Sequence, residues 1–123
     1  ERLLMVVDCG RVINPTTAAG QVEGGMLQAL GFALTEDMPY TADGQPLSTD
    51  LKTYRIYRAN EVPVMDVIFV QTDEPSGPYG VKSVAEISID GVAPAMANAI
   101  HNAIGVWMRD LPYTKDKVLK AIQ

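Results

Sequence analysis

The apolar positions of this chain follow two different periods. Residues 3–7, LLMVV, are an unbroken apolar run with β-branched members, closed by Asp8 and Gly10, and predict a buried strand. After Asn14 and Pro15, the positions Val22, Met26, Ala29, Leu30, Ala33 and Leu34 recur at helical spacing. A helix is therefore expected, with Thr16 or Thr17 as its cap and an end near Asp37, ahead of Pro39. VMDVIFVQ, residues 64–71, predicts a second strand, apolar enough to be central and covered on both faces. From Asp90 as cap, a further helix starts at Val92, tolerates Pro94 in its first turn, buries Met96, Ile100, Ala103 and Ile104, and stops at Gly105. Thr114 caps a last short helix, with Asp116 early and Lys120 late as the helix dipole favours, and Val118, Leu119 and Ile122 turned inward. Between these elements, residues 40–51 carry Asp43-Gly44 in a polar setting, a loop or a short hairpin, and DEPSGPYG at 73–80 is a loop. The pattern predicts an α+β fold of short strands with packed helices, and no internal repeat.

Composition narrows the chemistry. A chain of 123 residues, 47% hydrophobic, suits one globular unit. Net charge is −5, from 10 basic against 15 acidic residues, so no basic stripe exists for a phosphate backbone and no nucleic acid partner is expected. No apolar stretch reaches membrane-spanning length, and Glu1-Arg2 does not begin a signal peptide, so a soluble protein is expected. The single cysteine, Cys9, rules out an internal disulfide and points to a reducing, cytoplasmic setting; it reads as an inert core thiol. With His101 the only histidine, a zinc site of several Cys and His ligands is excluded by count, and no metal ligand set is read here. His101 falls off the apolar face of its helix and reads as solvated, while Trp107 and Met108 read as packing residues. The long connections and the abrupt entry into a strand suggest a piece of something longer.

AGQVEGGMLQALG, residues 19–31, raises a sharper question. Glycine costs roughly 1 kcal/mol more than alanine within a helix, yet Gly20, Gly24, Gly25 and Gly31 share one. Gln21, Gly24, Gly25 and Gln28 lie along one side, away from the stripe of Val22, Met26, Leu30 and Ala33. Bare backbone edged by amides admits either a ligand, with Gln21 placed in the first turn beside the positive end of the helix dipole, or the close packing of a neighbouring element. Glu23 would sit in the same turn, where the dipole alone accounts for it.

DCGRVINPTTAAGQVEGGMLQALGFALTED, residues 8–37, resembles the C-terminal part of the molybdenum-binding subunit of the xanthine dehydrogenase and aldehyde oxidase family. GPYGVKSVAEISIDGVAPAMANAIHNAIGV, residues 77–106, is similar to the segment of that family that ends in its catalytic glutamate and runs into the following helix. The resemblance spans nearly the whole chain and is weakest between Tyr40 and Val62. It implies that residues 1–123 are the C-terminal segment of a larger molybdopterin-binding domain.

Carried over residue by residue, the resemblance implies that Gln21 hydrogen-bonds the molybdopterin cofactor and that Glu86 is the general base of a hydroxylation that takes its oxygen from water. Lys82, Ser83 and Val84 are implied to line the cofactor through backbone groups. The apolar neighbours Val84, Ala85, Ile87 and Ile89 would partly desolvate the Glu86 carboxylate and raise its pKa; without the motif it reads as a surface glutamate. The family commonly has glycine where this chain has Ser83 and Ala85, and the added methyl beside the base bears on the substrate cleft. Iron-sulfur clusters and FAD are expected on other domains or subunits, with the rest of the molybdenum subunit as partner. A purine or related N-heterocycle is the leading substrate class and aldehydes the second, and the isolated chain is expected to be inactive. The competing reading is a cofactor-free structural module.

Overall fold

The computed structural model describes residues 2–123. The order of elements is β1 (Arg2–Asp8), α1 (Pro15–Leu34), a 3₁₀ turn at Ala59–Glu61, β2 (Val64–Val70), a 3₁₀ turn at Pro78–Gly80, α2 (Ile87–Asp90), α3 (Val92–Ile104) and α4 (Lys115–Ala121). Strands and helices mix without strict alternation, so the α+β expectation holds. Among the described residues no helix is long and apolar enough to cross a membrane. The chain divides into two units, residues 1–28 with 62–91 and residues 29–61 with 92–123.

In the first unit β1 and β2 pair in parallel, in register from Arg2 opposite Val64 to Asp8 opposite Val70. Parallel pairing requires a crossover, which here contains α1. One sheet face, with Leu3, Met5, Val7, Met65, Val67 and Phe69, is buried or half-buried. On the other, Leu4 is 51% and Val6 58% exposed, and Val64, Ile68 and Val70 are exposed beside them. The burial expected for β1 and the two-sided cover expected for β2 are thus corrected. A crossover lays its helix on one face only, and an unbroken apolar run carries no signal of which face that is.

α1 starts earlier than its sequence suggests. Pro15 is its first residue, and Asn14 caps it: Asn14 Oδ1 accepts from the Thr17 N–H at 3.2 Å, and Thr17 Oγ1 donates back to the Asn14 carbonyl at 3.3 Å. Neither Thr16 nor Thr17 is the cap. Gln21 and Glu23 therefore lie beyond the first turn, and the dipole argument for both falls away. The apolar stripe is as expected, with Val22 and Met26 fully buried. Two of the glycines behave oppositely. A Cβ on Gly24 would meet nothing within 4 Å, whereas one on Gly25 would run into the Oγ and Cβ of Ser88.

In the second unit Ala29, Leu30 and Ala33 continue the buried stripe of α1, joined by Val92 and Tyr113. The helix stops at Leu34, short of Asp37, where Thr35 and Glu36 both donate to the Gly31 carbonyl. The Tyr113 N–H donates to the Ala33 carbonyl at 2.7 Å, and the Tyr54 hydroxyl to Glu36 at 2.7 Å. Residues 40–46 form a turn closed by one antiparallel bridge, Tyr40 with Pro46, and Gly44 takes the positive φ its tip requires. α3 ends at Gly105, at φ +75°, as expected. Its buried face is thinner than predicted: Val92 is buried, Met96, Ile100 and Ile104 are half-buried, and Ala103 is exposed. Asp90 belongs to α2 and is not a lone cap. Thr114 caps α4 by accepting from the Lys117 N–H, but Leu119 and Ile122 are 55% and 53% exposed, not inward. A helix this short has too few turns to bury a whole stripe. His101, expected to be solvated, is half-buried and stacks on Trp107 with centroids 4.0 Å apart, its Nδ1 buried without a partner among the described residues.

Candidate functional site

The carboxyl ends of β1 and β2 open into the loops that carry the candidate residues, the usual place for a site on parallel strands. β1 ends on Asp8, Cys9 is buried behind it, and Gly10 turns the chain at φ +68°. A side chain at Gly10 would collide with the Gly80 carbonyl and sit 2.8 Å from the Lys82 nitrogen, so the segment returning from β2 can lie directly on this backbone. It does so through a bridge between Gly10 and Val81, the Lys82 N–H to the Cys9 carbonyl at 2.8 Å, and the Arg11 N–H to the Gly80 carbonyl at 2.9 Å. The turn before it, Pro78–Gly80, places both Tyr79 and Gly80 at positive φ.

Asp8 ties these pieces together. Its Oδ2 accepts from Lys82 Nζ at 2.7 Å, and its Oδ1 accepts from Thr72 Oγ1 at 2.7 Å and from the Gly10 N–H at 2.9 Å. The Lys82 bond first, then those from Gly10 and Thr72, pulls the Asp8 pKa down to about 2. The same contact raises that of Lys82. The ammonium of Lys82 is thus held by Asp8.

Two open hollows in the first unit share Gln21 and Ala85. The larger, about 590 Å³, is lined by Gln21 with Lys82, Ser83, Val84 and Ala85, facing Asn14 and Thr17 at the start of α1. The smaller, about 550 Å³, brings Gln21 together with Gly24, Ala85, Glu86 and Ile89. Gln21, Lys82, Ser83, Val84 and Glu86 therefore each line a hollow that Gln21 lines. Glu86 caps α2 through its backbone, with the Ile89 N–H donating to its carbonyl at 2.9 Å, and its side chain is exposed. The apolar enclosure expected for it is corrected: Ala85 and Ile87 are exposed as well, so hydrophobic neighbours in sequence do not surround the carboxylate.

The residues present suit one side of a flat, polar heterocycle. A Cβ at Gly20 or Gly24 would meet no atom of the protein within 4 Å, so the helix offers bare backbone beside an amide that both donates and accepts. Among the described residues no group of three or more His, Cys, Asp or Glu is placed to hold a metal ion. The sequence reading missed Asp8 and Ser88. An acidic residue closing an apolar strand was a visible signal for Asp8; nothing local marks Ser88.

The chain is similar to known proteins. The family model described as the molybdopterin cofactor-binding domain matches residues 1–63. The chain is 38% identical over 124 residues to the probable hypoxanthine oxidase XdhD of Escherichia coli (strain K12), covering 100% of this chain and 13% of that protein. It is 38% identical over 120 residues to the aldehyde oxidoreductase molybdenum-binding subunit PaoC of Escherichia coli (strain K12), covering 96% of this chain and 16% of that one. Quinoline 2-oxidoreductase from Pseudomonas putida 86 superposes on 98% of the chain, and on 16% of its own, with a TM-score of 0.90 at 31% identity. The chain spans only a small part of each of these proteins. On the match over residues 1–63, and in keeping with its resemblance to molybdenum-binding subunits of xanthine dehydrogenases and aldehyde oxidases, the chain belongs to the molybdopterin cofactor-binding domain family.

Proposed function

We propose that this chain is the C-terminal segment of the molybdopterin-binding domain of a molybdenum hydroxylase, and that it supplies the general base and part of the cofactor site. The observation that carries the reading is the shared hollow: Gln21 and Glu86 line it together, with side-chain-free backbone at Gly24 beside them. In this reading Gln21 hydrogen-bonds the pterin, and the backbone of Lys82, Ser83 and Val84 lines it. When bound, the cofactor would supply a metal that acidifies water and accepts the electrons of the oxidation. Glu86, exposed to the hollow, takes the proton from the water that delivers oxygen to the substrate. Asp8 keeps the Lys82 side chain occupied and so holds the loop that leads to Glu86 against the end of β1.

The substrate class is a purine or related N-heterocycle, a reading supported by the probable hypoxanthine oxidase among the relatives. An equal identity to an aldehyde oxidoreductase subunit favours aldehydes as the second reading. Iron-sulfur and flavin groups on other domains or subunits carry the electrons away, and the assembly works in the cytoplasm. One amide and one carboxylate cannot enclose a pterin, so the isolated chain has no activity.

In the native complex, Glu86→Gln lowers turnover by about 10²–10⁴-fold while molybdenum and pterin content stay at wild-type levels. Retained turnover in that variant refutes the assigned base. A native complex without molybdenum or pterin refutes the enzyme reading and leaves the structural module. Assays with xanthine, hypoxanthine, nicotinate and an aromatic aldehyde decide between the substrate classes.

A further inference from the structure

Ser88 is the one polar side chain of the first unit that is fully buried, at 0% exposure, and its Oγ has no hydrogen-bond partner among the described residues. A buried hydroxyl without a partner is a cost that the fold carries. Shape, not polar bonding, must therefore account for what Ser88 touches. It lies against Gly25 of α1, where an added Cβ would overlap Ser88 Oγ. Turning that hydroxyl aside would not help, because Ser88 Cβ would still stand 2.8 Å from the new methyl. Ile89 Cγ1, at 3.5 Å, closes the other side.

Both partners of this contact adjoin the candidate site. Gly25 follows Gln21 by about one helical turn on α1, and it lines the hollow that Gln21 shares with Glu86. Ser88 lies in α2, whose N-terminal cap is Glu86. Gln21 and Glu86 are themselves exposed. Neither side chain is tethered by a hydrogen bond or ion pair among the described residues. Within this chain, the distance between the backbones that carry them is therefore set by how closely α1 meets α2.

We propose that the Gly25–Ser88 contact is the joint that sets the distance between the backbone that carries Gln21 and the backbone that carries Glu86, making Gly25 and Ser88 positioning residues of the site. The proposal rests on the roles given above to Gln21 and Glu86. A methyl at Gly25 forces the two elements apart by about 1 Å to restore ordinary contact distances. A misplacement of that size costs on the order of 10²-fold in rate.

The test uses the whole native complex and a swap of the Cβ across the joint. Gly25→Ala is expected to lower kcat about 10²-fold with KM and molybdenum and pterin content unchanged and a modest fall in melting temperature. Adding Ser88→Gly, which removes both atoms the new methyl would meet, is expected to return most of the lost kcat. The joint is overturned if Gly25→Ala turns over like wild type, or if the double variant leaves the loss unrepaired. It is equally overturned if Gly25→Ala loses molybdenum and pterin in proportion to turnover, which would mark the contact as packing alone. A complex that carries no molybdenum, or whose Glu86→Gln variant stays active, fails the underlying reading before the joint is tested.

Discussion

The two units of the chain are held by different kinds of polar contact. In the first, side chains reach across long stretches of sequence: Asp8 to Lys82 and Thr72, Arg11 to Asp73, Arg2 to Asp66. In the second, side-chain bonds of short sequence span stand out: Thr41 to Asp43, Thr53 to Asp50, Lys117 to the carbonyls of Asp110 and Leu111, with Tyr54 reaching 18 residues back to Glu36. Arg55 and Glu61, six residues apart, form the strongest local pair, bonded twice at 2.7 and 2.9 Å. Long-range contacts fix distant segments relative to one another, which is what a site assembled from residues 21 and 82–86 needs. Local contacts only shape the loops that contain them. Disturbing the first unit should therefore change chemistry, and disturbing the second should change stability alone.

The largest effect on this contrast is expected at Gly24. Alanine there is a better helix former by about 1 kcal/mol and would touch nothing else in the protein. Judged on the protein alone, Gly24→Ala is harmless or stabilising. If the open backbone is where the pterin lies, the methyl overpacks that face by about 1–3 kcal/mol, roughly ten- to hundredfold in cofactor retention. Molybdenum and pterin per complex should fall accordingly. Full cofactor content would remove the cofactor from this face of α1.

A matched pair of carboxylates gives the next effect. Asp8 and Glu61 are both drawn down to about 2, Asp8 chiefly by Lys82 and Glu61 chiefly by Arg55. Both are lowered in the folded state. Each therefore favours folding above its ordinary value, 3.8 or 4.5, and loses that contribution as pH falls towards 2. Their acid behaviour should be alike while their effects on catalysis differ. Asp8→Asn frees Lys82 and loosens the loop leading to Glu86, which should cost about tenfold in kcat. Glu61→Gln should leave turnover unchanged. Equal losses in the two variants would mean that sequence distance between partners does not separate the units in function.

How much of this was legible beforehand follows the same division. The buried stripe Val22, Met26, Leu30 and Ala33 was visible because period 3.6 is written in neighbouring residues, and the caps and stops at Thr114 and Gly105 are similarly local. The exposed faces of β1 and β2 were not visible, since an apolar run reads the same with one covered side or two. Gly24 and Gly25 show the limit best. They are adjacent and identical, yet one faces open space and the other a serine far along the chain. The sequence reading left ligand and packing as alternatives for the whole face; the structure shows packing at Gly25 and open space at Gly24. Asp8 escaped notice because the partner that gives it a role lies 74 residues away. Periodicity put Gln21 beside the glycines, but the role read for it, and Glu86 altogether, came from a resemblance, and the apolar neighbours expected to enclose Glu86 do not surround it.

The smallest predicted effect tests the second unit by itself. Thr114 accepts the Lys117 N–H at 3.3 Å and so satisfies one of the donors left open at the start of α4. Thr114→Ala should cost about 1 kcal/mol in urea unfolding, and Thr114→Ser, which keeps the acceptor oxygen, should recover most of it. Neither variant should change kcat, because no residue of either candidate hollow lies in this helix. A fall in turnover that serine repairs would show that a local bond in the second unit reaches the site after all. The division into a chemical half and a scaffolding half would then have to be redrawn around α4, with stability and turnover coupled through the chain.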